Sequence, residues 1–431
     1  MHWHNPARHT IFGAVVLSAV LLPACQVAPI PGDSGGDDTT SAPVYNNTTD
    51  RTNGGARFLG SSACRACHPD IGATHLVHGH AHKLTAIEGQ PPQFPVQGTR
   101  AGVPDPPSGT VWTDVSYVIG GYTKKARFVD LDGFILTTGT TRVPTQYNLD
   151  FPPNGTVAGF VDYEADRDTP KPYDFSCFVC HTTGPEAQDA NQPEFQDNRP
   201  GLAGTWAEAG VQCEACHGPG SNHVPNPAAR TEFVDTGARL CTECHNRPFD
   251  SDGEVILASG GFIKHHEQYP ELKASGAHSF FNCTTCHDPH TSVTYDRDNA
   301  IRQQCTDCHP DQTMALHEGK TFVRGDYVEA LHCESCHMPF ATRSASAADA
   351  AVVGEAGRMG DTRTHIFRIN AQPMDYTQMF NNDMTEVVKD ASGRAAVTLD
   401  FVCLRCHSGA GNAFAFTVTS ASAIATGIHD R

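Results

Sequence analysis

The sequence predicts a mostly irregular and α-helical fold with little regular secondary structure. Short helices surround a recurring cysteine motif, and one small antiparallel β-subdomain lies near 110–165. Three observations predict this. Sixteen of the 17 cysteines fall into eight copies of C-x-x-C-H. The 39 glycines and 29 prolines, with only 39% hydrophobic residues, leave too little apolar surface for an ordinary core. Residues 111–149 hold β-branched and aromatic runs broken by "GG" and "DLDG", the punctuation of strands joined by tight turns.

The elements follow in chain order. Residues 1–10 carry Arg8 and three histidines, and Ile11 to Leu22 form an apolar run. That run is too short to span a bilayer as a helix and reads as the h-region of a signal peptide over 1–24. It ends in "LLPAC", which resembles a bacterial lipobox and makes Cys25 the expected lipidated residue, although Pro23 stands where a small residue is more usual. Residues 25–56, rich in Gly, Ser, Thr, Asp and Pro, read as a flexible tether. Residues 57–431 form the folded domain, with the β-rich insertion at about 110–165. "THIFRI", 364–369, is expected to be one short strand.

C-x-x-C-H is the attachment signal of c-type haem. Each cysteine forms a thioether link, and the adjacent histidine is the proximal iron ligand. The motifs are Cys64-Cys67-His68, Cys177-Cys180-His181, Cys213-Cys216-His217, Cys241-Cys244-His245, Cys283-Cys286-His287, Cys305-Cys308-His309, Cys333-Cys336-His337 and Cys403-Cys406-His407. Structural disulfides require neither the constant spacing nor the histidine. Zinc ribbons lack a histidine at that position, and thioredoxin-like pairs occur once per domain. The cofactor expected is therefore haem c, eight per chain. First cysteines follow one another at 113, 36, 28, 42, 22, 28 and 70 residues. The short steps put neighbouring haems close together, as a wire. Attachment of c-type haem also places the protein outside the bacterial cytoplasm.

The second axial position decides the chemistry: a second histidine gives an electron carrier, and an empty one admits substrate. Of 24 histidines, three lie in the leader and eight are proximal. The other thirteen are His75, His78, His80, His82, His223, His265, His266, His278, His290, His317, His332, His365 and His429. The expected distal set is His80, His223, His266, His278, His290, His317, His332 and His365. The choice within "THLVHGHAHKL", and between His265 and His266, stays open. No motif carries the lysine that marks the catalytic haem of pentahaem nitrite reductases. No paired carboxylates or catalytic triad stand out.

The formal charge of −18 argues against nucleic acid as a partner, since phosphate binding needs clustered Lys and Arg. Residues 58–84, "FLGSSACRACHPDIGATHLVHGHAHKL", resemble the first haem segment of proteins similar to the tetrahaem cytochrome of ammonia oxidisers. "GTWAEAGVQCEACHGPGSNH", "GGFIKHHEQY", "NCTTCHDPH", "CESCHMPFATRSA" and "GDTRTHIFRI" resemble segments of multihaem cytochromes that respire external acceptors. The resemblance implies His80, His223, His290 and His365 as distal ligands, with His78 and His82 a departure around His80.

The surplus of histidines favours an electron-transfer protein, not an enzyme. It would work in the periplasm or at the outer membrane, in anaerobic or extracellular respiration. Its partners would be other redox proteins, an extracellular acceptor or identical subunits, with a lipid anchor. Two alternatives stand beside this reading. One is an octahaem enzyme acting on a small nitrogen or sulfur compound at one open haem. The other is a subunit of an extracellular cytochrome filament, with His429 or the His75–His82 cluster as the donor across subunits.

Overall fold

A computed structural model describes residues 49–50, 55–95, 102–229, 238–247, 253–345, 352–353 and 357–430. The expected leader, Cys25 and most of the 25–56 segment lie outside the described residues. Among those described, no helix is long and apolar enough to cross a membrane.

Regular structure is sparse and local. Helices are four to eight residues long, and most enclose or adjoin a motif: Ser61–Arg65, Cys213–His217, Cys283–Cys286, Cys305–Cys308 and Cys333–His337 are examples. The cause is in the motif itself. Two cysteines three residues apart lie on one face of a single helical turn, which suits two links to one flat ring. Motif helices start without a long amphipathic pattern, so nothing extends them.

The β-subdomain is larger than its sequence signal. Seven strands form one sheet: β1 (Leu84–Ala86), β2 (Val115–Gly120), β3 (Lys125–Asp130), β4 (Phe134–Ile135), β5 (Gln146–Asn148), β6 (Gly159–Val161) and β7 (Lys171–Pro172). It thus begins before residue 110 and ends after 165. The two outer strands are too short to register as periodic patterns. β2 and β3 pair antiparallel, with Val118 opposite Phe128 and Ile119 opposite Arg127. Their turn uses Gly120 and Gly121 at φ of 73° and 88°, which L side chains rarely adopt. At the "DLDG" turn the Asp130 carboxylate accepts from the N–H groups of Asp132 and Phe134 at 3.0 and 2.8 Å.

The sheet has two different faces, as strand alternation requires. Val118, Ala126 and Phe128 pack with Val103 and Val115 into a core of their own. On the opposite face Tyr117, Val129 and Ile135 pack against Tyr173, Phe178, Leu202 and Trp206, which surround the second cysteine motif. Lys125 and Arg127 lie on that same side of β3. A separate core in the C-terminal half gathers Ile256, Phe262, Ile263, Ile366, Val397 and Phe401. "THIFRI" is not a strand. It runs irregularly and contributes one bridge, Ile369 to Val397. Its hydrogen-bonding groups are spent elsewhere: the His365 N–H meets the Glu271 carboxylate, and the Phe367 N–H donates to Ser275 Oγ at 3.1 Å.

Candidate functional site

The proximal histidines are held at the ends of their motif turns by backbone bonds such as His68 N–H to the Cys64 carbonyl, 2.9 Å, and His245 N–H to the Cys241 carbonyl, 2.9 Å. Seven of the eight have another histidine ring across from them. His68 faces His223 at 6.4 Å between ring centres, and His217 faces His290 at 6.1 Å. His287 faces His365 at 6.0 Å, and His309 faces His278 at 5.9 Å. His337 faces His429 at 5.8 Å, and His407 faces His317 at 6.2 Å. His245 is flanked by two rings, His80 at 6.2 Å and His266 at 5.5 Å.

These separations suit one iron between two imidazoles. Each metal–nitrogen bond is about 2 Å, and the remainder is the depth of the two rings. Two-membered sites also fit haem, whose own nitrogens fill the other four positions. Among the described residues no group of three or more His, Cys, Asp or Glu converges as a bare ion would need.

In the four-histidine cluster, His80 alone faces a proximal ring. His82 Nε2 is engaged by the Leu76 carbonyl at 2.7 Å, and His78 Nδ1 accepts from the His80 N–H at 2.9 Å. His75 is buried and its ring stacks on that of His78 at 6.2 Å. One expectation meets a different geometry. His332 precedes helix Cys333–His337 and donates its N–H to Ser335 Oγ at 3.1 Å; among the described residues no ring pairs with it. The position opposite His337 is taken instead by His429, whose Nδ1 bonds the Thr313 carbonyl at 3.0 Å. His266 stands at φ 72°, an unusual backbone for a non-glycine residue.

His181 is the exception. Its ring contact is with Tyr173, 6.2 Å away, whose Oη lies 3.1 Å from His181 Nδ1. No histidine ring pairs with it among the described residues. Instead, burial and then the charges of Lys83, Arg247, Arg127 and Lys125 pull its pKa down to about 3. His265 feels the same four cations after burial. The two histidines therefore lie within reach of the same four positive charges.

The sheet positions three of these four cations. Lys83 immediately precedes β1, and Lys125 and Arg127 are alternate residues of β3. Tyr173 directly follows β7. Lys125 Nζ donates to the Ser344 carbonyl at 2.7 Å. Arg127 Nε donates to Gln146 Oε1 at 2.9 Å, and its guanidinium covers the Tyr163 ring at 3.6 Å. Arg247 Nε is buried without a partner. Among the described residues none of the four forms an ion pair. Burial pulls Lys125 down to about 7 and lowers Lys83 and Arg127 as well. Sequence reasoning missed these residues because it followed histidines and cysteines, and 111–149 holds neither. The signal available was Lys125 and Arg127 at i and i+2 beside apolar Ala126 and Phe128.

The motifs also touch one another. The side chains of Cys64 and Cys213, Cys180 and Cys244, Cys241 and Cys283, and Cys305 and Cys333 lie next to one another. Cys216 also lies near Cys241, Cys286 near Cys308, and Cys336 near Cys403. In motif order the contacts run 1–3–4–5–6–7–8, with motif 2 attached as a branch at motif 4.

The comparisons agree with this chemistry. A family model for cytochrome c554 and c-prime matches residues 161–218. The dissimilatory sulfite reductase MccA of Wolinella succinogenes is 25% identical over 268 residues, 51% of this chain and 35% of that protein. The multihaem cytochrome MtrA of Shewanella baltica is 23% identical over 181 residues, 32% of this chain and 53% of that protein. The chain thus spans about a third and about half the length of these curated relatives. The solved octahaem sulfite reductase MccA of W. succinogenes aligns over 88% of this chain and 68% of its own, with a TM-score of 0.53 and 19% identity. The chain is similar to the multihaem c-type cytochromes, and its cofactor is haem c, with attachment motifs for eight. It is an electron-transfer protein in that general sense. The expectation that it is a carrier and not an enzyme is overturned, because an enzyme of this kind matches it in both sequence and fold.

Proposed function

We propose that this protein is a multihaem reductase that reduces a small oxyanion, sulfite or a close relative, at the haem of Cys177, Cys180 and His181. The observation that carries this reading is the asymmetry of the sites. Seven proximal histidines face a second histidine, and His181 faces four partly buried cations without ion-pair partners. The named activity of the matched reductase supports it. In this reading the distal ligands are His223, His290, His80, His365, His278, His429 and His317, and the position opposite His181 is left for substrate. Arg127 and Arg247 hold the oxyanion through planar forks. Lys125, with its pKa near 7, binds the anion while protonated and can release that proton at Nζ. The haem supplies an iron that takes the substrate and passes electrons to it. The branch contact between motifs 2 and 4 makes motif 4 the last relay before the site. The protein would act outside the cytoplasm, held by a lipid at Cys25, and draw electrons from another redox protein.

The test is a ferric spectrum of the holoprotein with and without sulfite. One haem in eight should be high-spin and should shift on adding sulfite, and reduced protein should then be reoxidised by it. A wholly low-spin spectrum that sulfite leaves unchanged would refute the proposal.

A further inference from the structure

The inner side of the His181 site differs from three of the paired sites, as the outer side does. A proximal imidazole binds iron through Nε2, so Nδ1–H must donate to something, and a stronger acceptor there makes the ligand more basic. In three paired sites the acceptor is a carbonyl-type oxygen. His245 meets Gln268 Oε1 at 2.8 Å, His337 the Phe367 carbonyl at 2.9 Å, and His407 the Phe414 carbonyl at 2.8 Å. At His181 it is the phenol of Tyr173, the longest contact of the four at 3.1 Å. A phenol oxygen delocalises its lone pair into the ring and is neutral at pH 7, so it accepts weakly.

Tyr173 is also held in place. Its N–H donates to the Gly201 carbonyl at 2.8 Å. Its ring is fully buried, 6.0 Å from Phe178 and 6.1 Å from Trp206. Among the described residues the phenol has no other hydrogen-bond partner. The contact is therefore built into the fold and does not depend on a mobile side chain.

We propose that Tyr173 is a positioning residue that orients His181 and keeps it a weaker electron donor than His245, His337 and His407, so that the His181 iron draws electrons from its neighbours and favours an anionic substrate. This rests on the reading of the His181 haem as the open one. A weakly donated proximal ligand leaves the iron electron-poor, which raises its potential. The four cations act in the same direction from outside the ring.

The experiment is resonance Raman of the ferrous holoprotein, whose iron–histidine stretch arises only from a five-coordinate haem, with a redox titration followed on the high-spin ferric signal. Tyr173→Phe keeps the ring packing and removes the acceptor. It should move the stretch to lower frequency and the midpoint upward. Tyr173→Gln supplies the amide oxygen that His245 has and should move both the opposite way. The proposal is overturned if both variants leave the stretch and the midpoint where the wild type has them, or shift them in one direction. A wild-type protein with no such stretch would instead defeat the open-haem reading itself, and this inference with it.

Discussion

The His181 site and the C-terminal pair of motifs treat positive charge in opposite ways. Between motifs 7 and 8, Arg405 is 1% exposed and binds the Glu329 carboxylate through both forks, at 2.7 and 3.0 Å. Arg363 reaches the same carboxylate at 3.0 Å, Tyr327 donates to it at 2.6 Å, and Ser335 of motif 7 donates at 2.8 Å. Burial pushes the Glu329 carboxyl up, but Arg405 and Arg363 overcome this and hold it well below the usual range. Every charge there is answered from within, and the network ties two haem motifs together. Around His181, none of the four cations forms an ion pair among the described residues. Charges satisfied internally hold positions; charges left without an ion pair are available to a ligand. The same residue type thus serves as a clamp in one region and, on the reading proposed above, as a receptor in the other.

Breaking the clamp should have the largest effect. Glu329→Gln leaves Arg405 buried without its counter-charge and should cost about 3–5 kcal/mol of stability, read as a lower midpoint in urea unfolding. The high-spin signal of the His181 haem should survive in the folded fraction. Emptying the receptor comes next. Arg127→Ala should lower kcat/KM for sulfite by about 10²–10³-fold, in line with the loss of one buried donor to a developing anion, while the low-spin haem spectrum stays unchanged. An unaltered kcat/KM would remove Arg127 from the site.

Making the two regions alike is a sharper test. His429→Ala removes the ring opposite His337 and should about double the high-spin ferric signal by opening a second haem. The new open haem lacks the cation set and should not turn over sulfite. The smallest effect expected is in pH. Lys125 has its pKa pulled down to about 7 by burial, so it is charged below that value and neutral above it. Binding of a sulfite-like anion should weaken as pH rises through 7, by up to about tenfold per unit. A flat affinity between pH 6 and 8 would exclude Lys125 from anion binding.

The cofactor was legible in the sequence because covalent attachment is a local affair. Two cysteines, a fixed gap and a histidine specify a haem link without reference to the rest of the chain, and the same holds for the helical turn beneath it. The second axial ligand is not local. His429 lies 92 residues beyond His337, and His223 lies 155 beyond His68. Adjacency to a motif, which favoured His332, carries little weight, because a neighbour in sequence is seldom across the ring. The excess of histidines likewise pointed away from an open haem. Several of them are spent on other tasks, such as the His82 contact to the Leu76 carbonyl.

By itself, then, the sequence determined the cofactor, its number of attachment points and the scarcity of regular structure. Those properties follow from short-range chemistry and composition. Which histidines face one another, and what surrounds His181, was decided only when the chain folded. Lys83, Lys125, Arg127 and Arg247 come from segments far apart in sequence and share no motif. A seven-stranded sheet and the turn after motif 4 bring their charges to bear on one imidazole. Electrostatic fields add through space and not along the chain, so the alternation of Lys125 and Arg127 in one strand could mark a charged face but not the partners that join it from elsewhere.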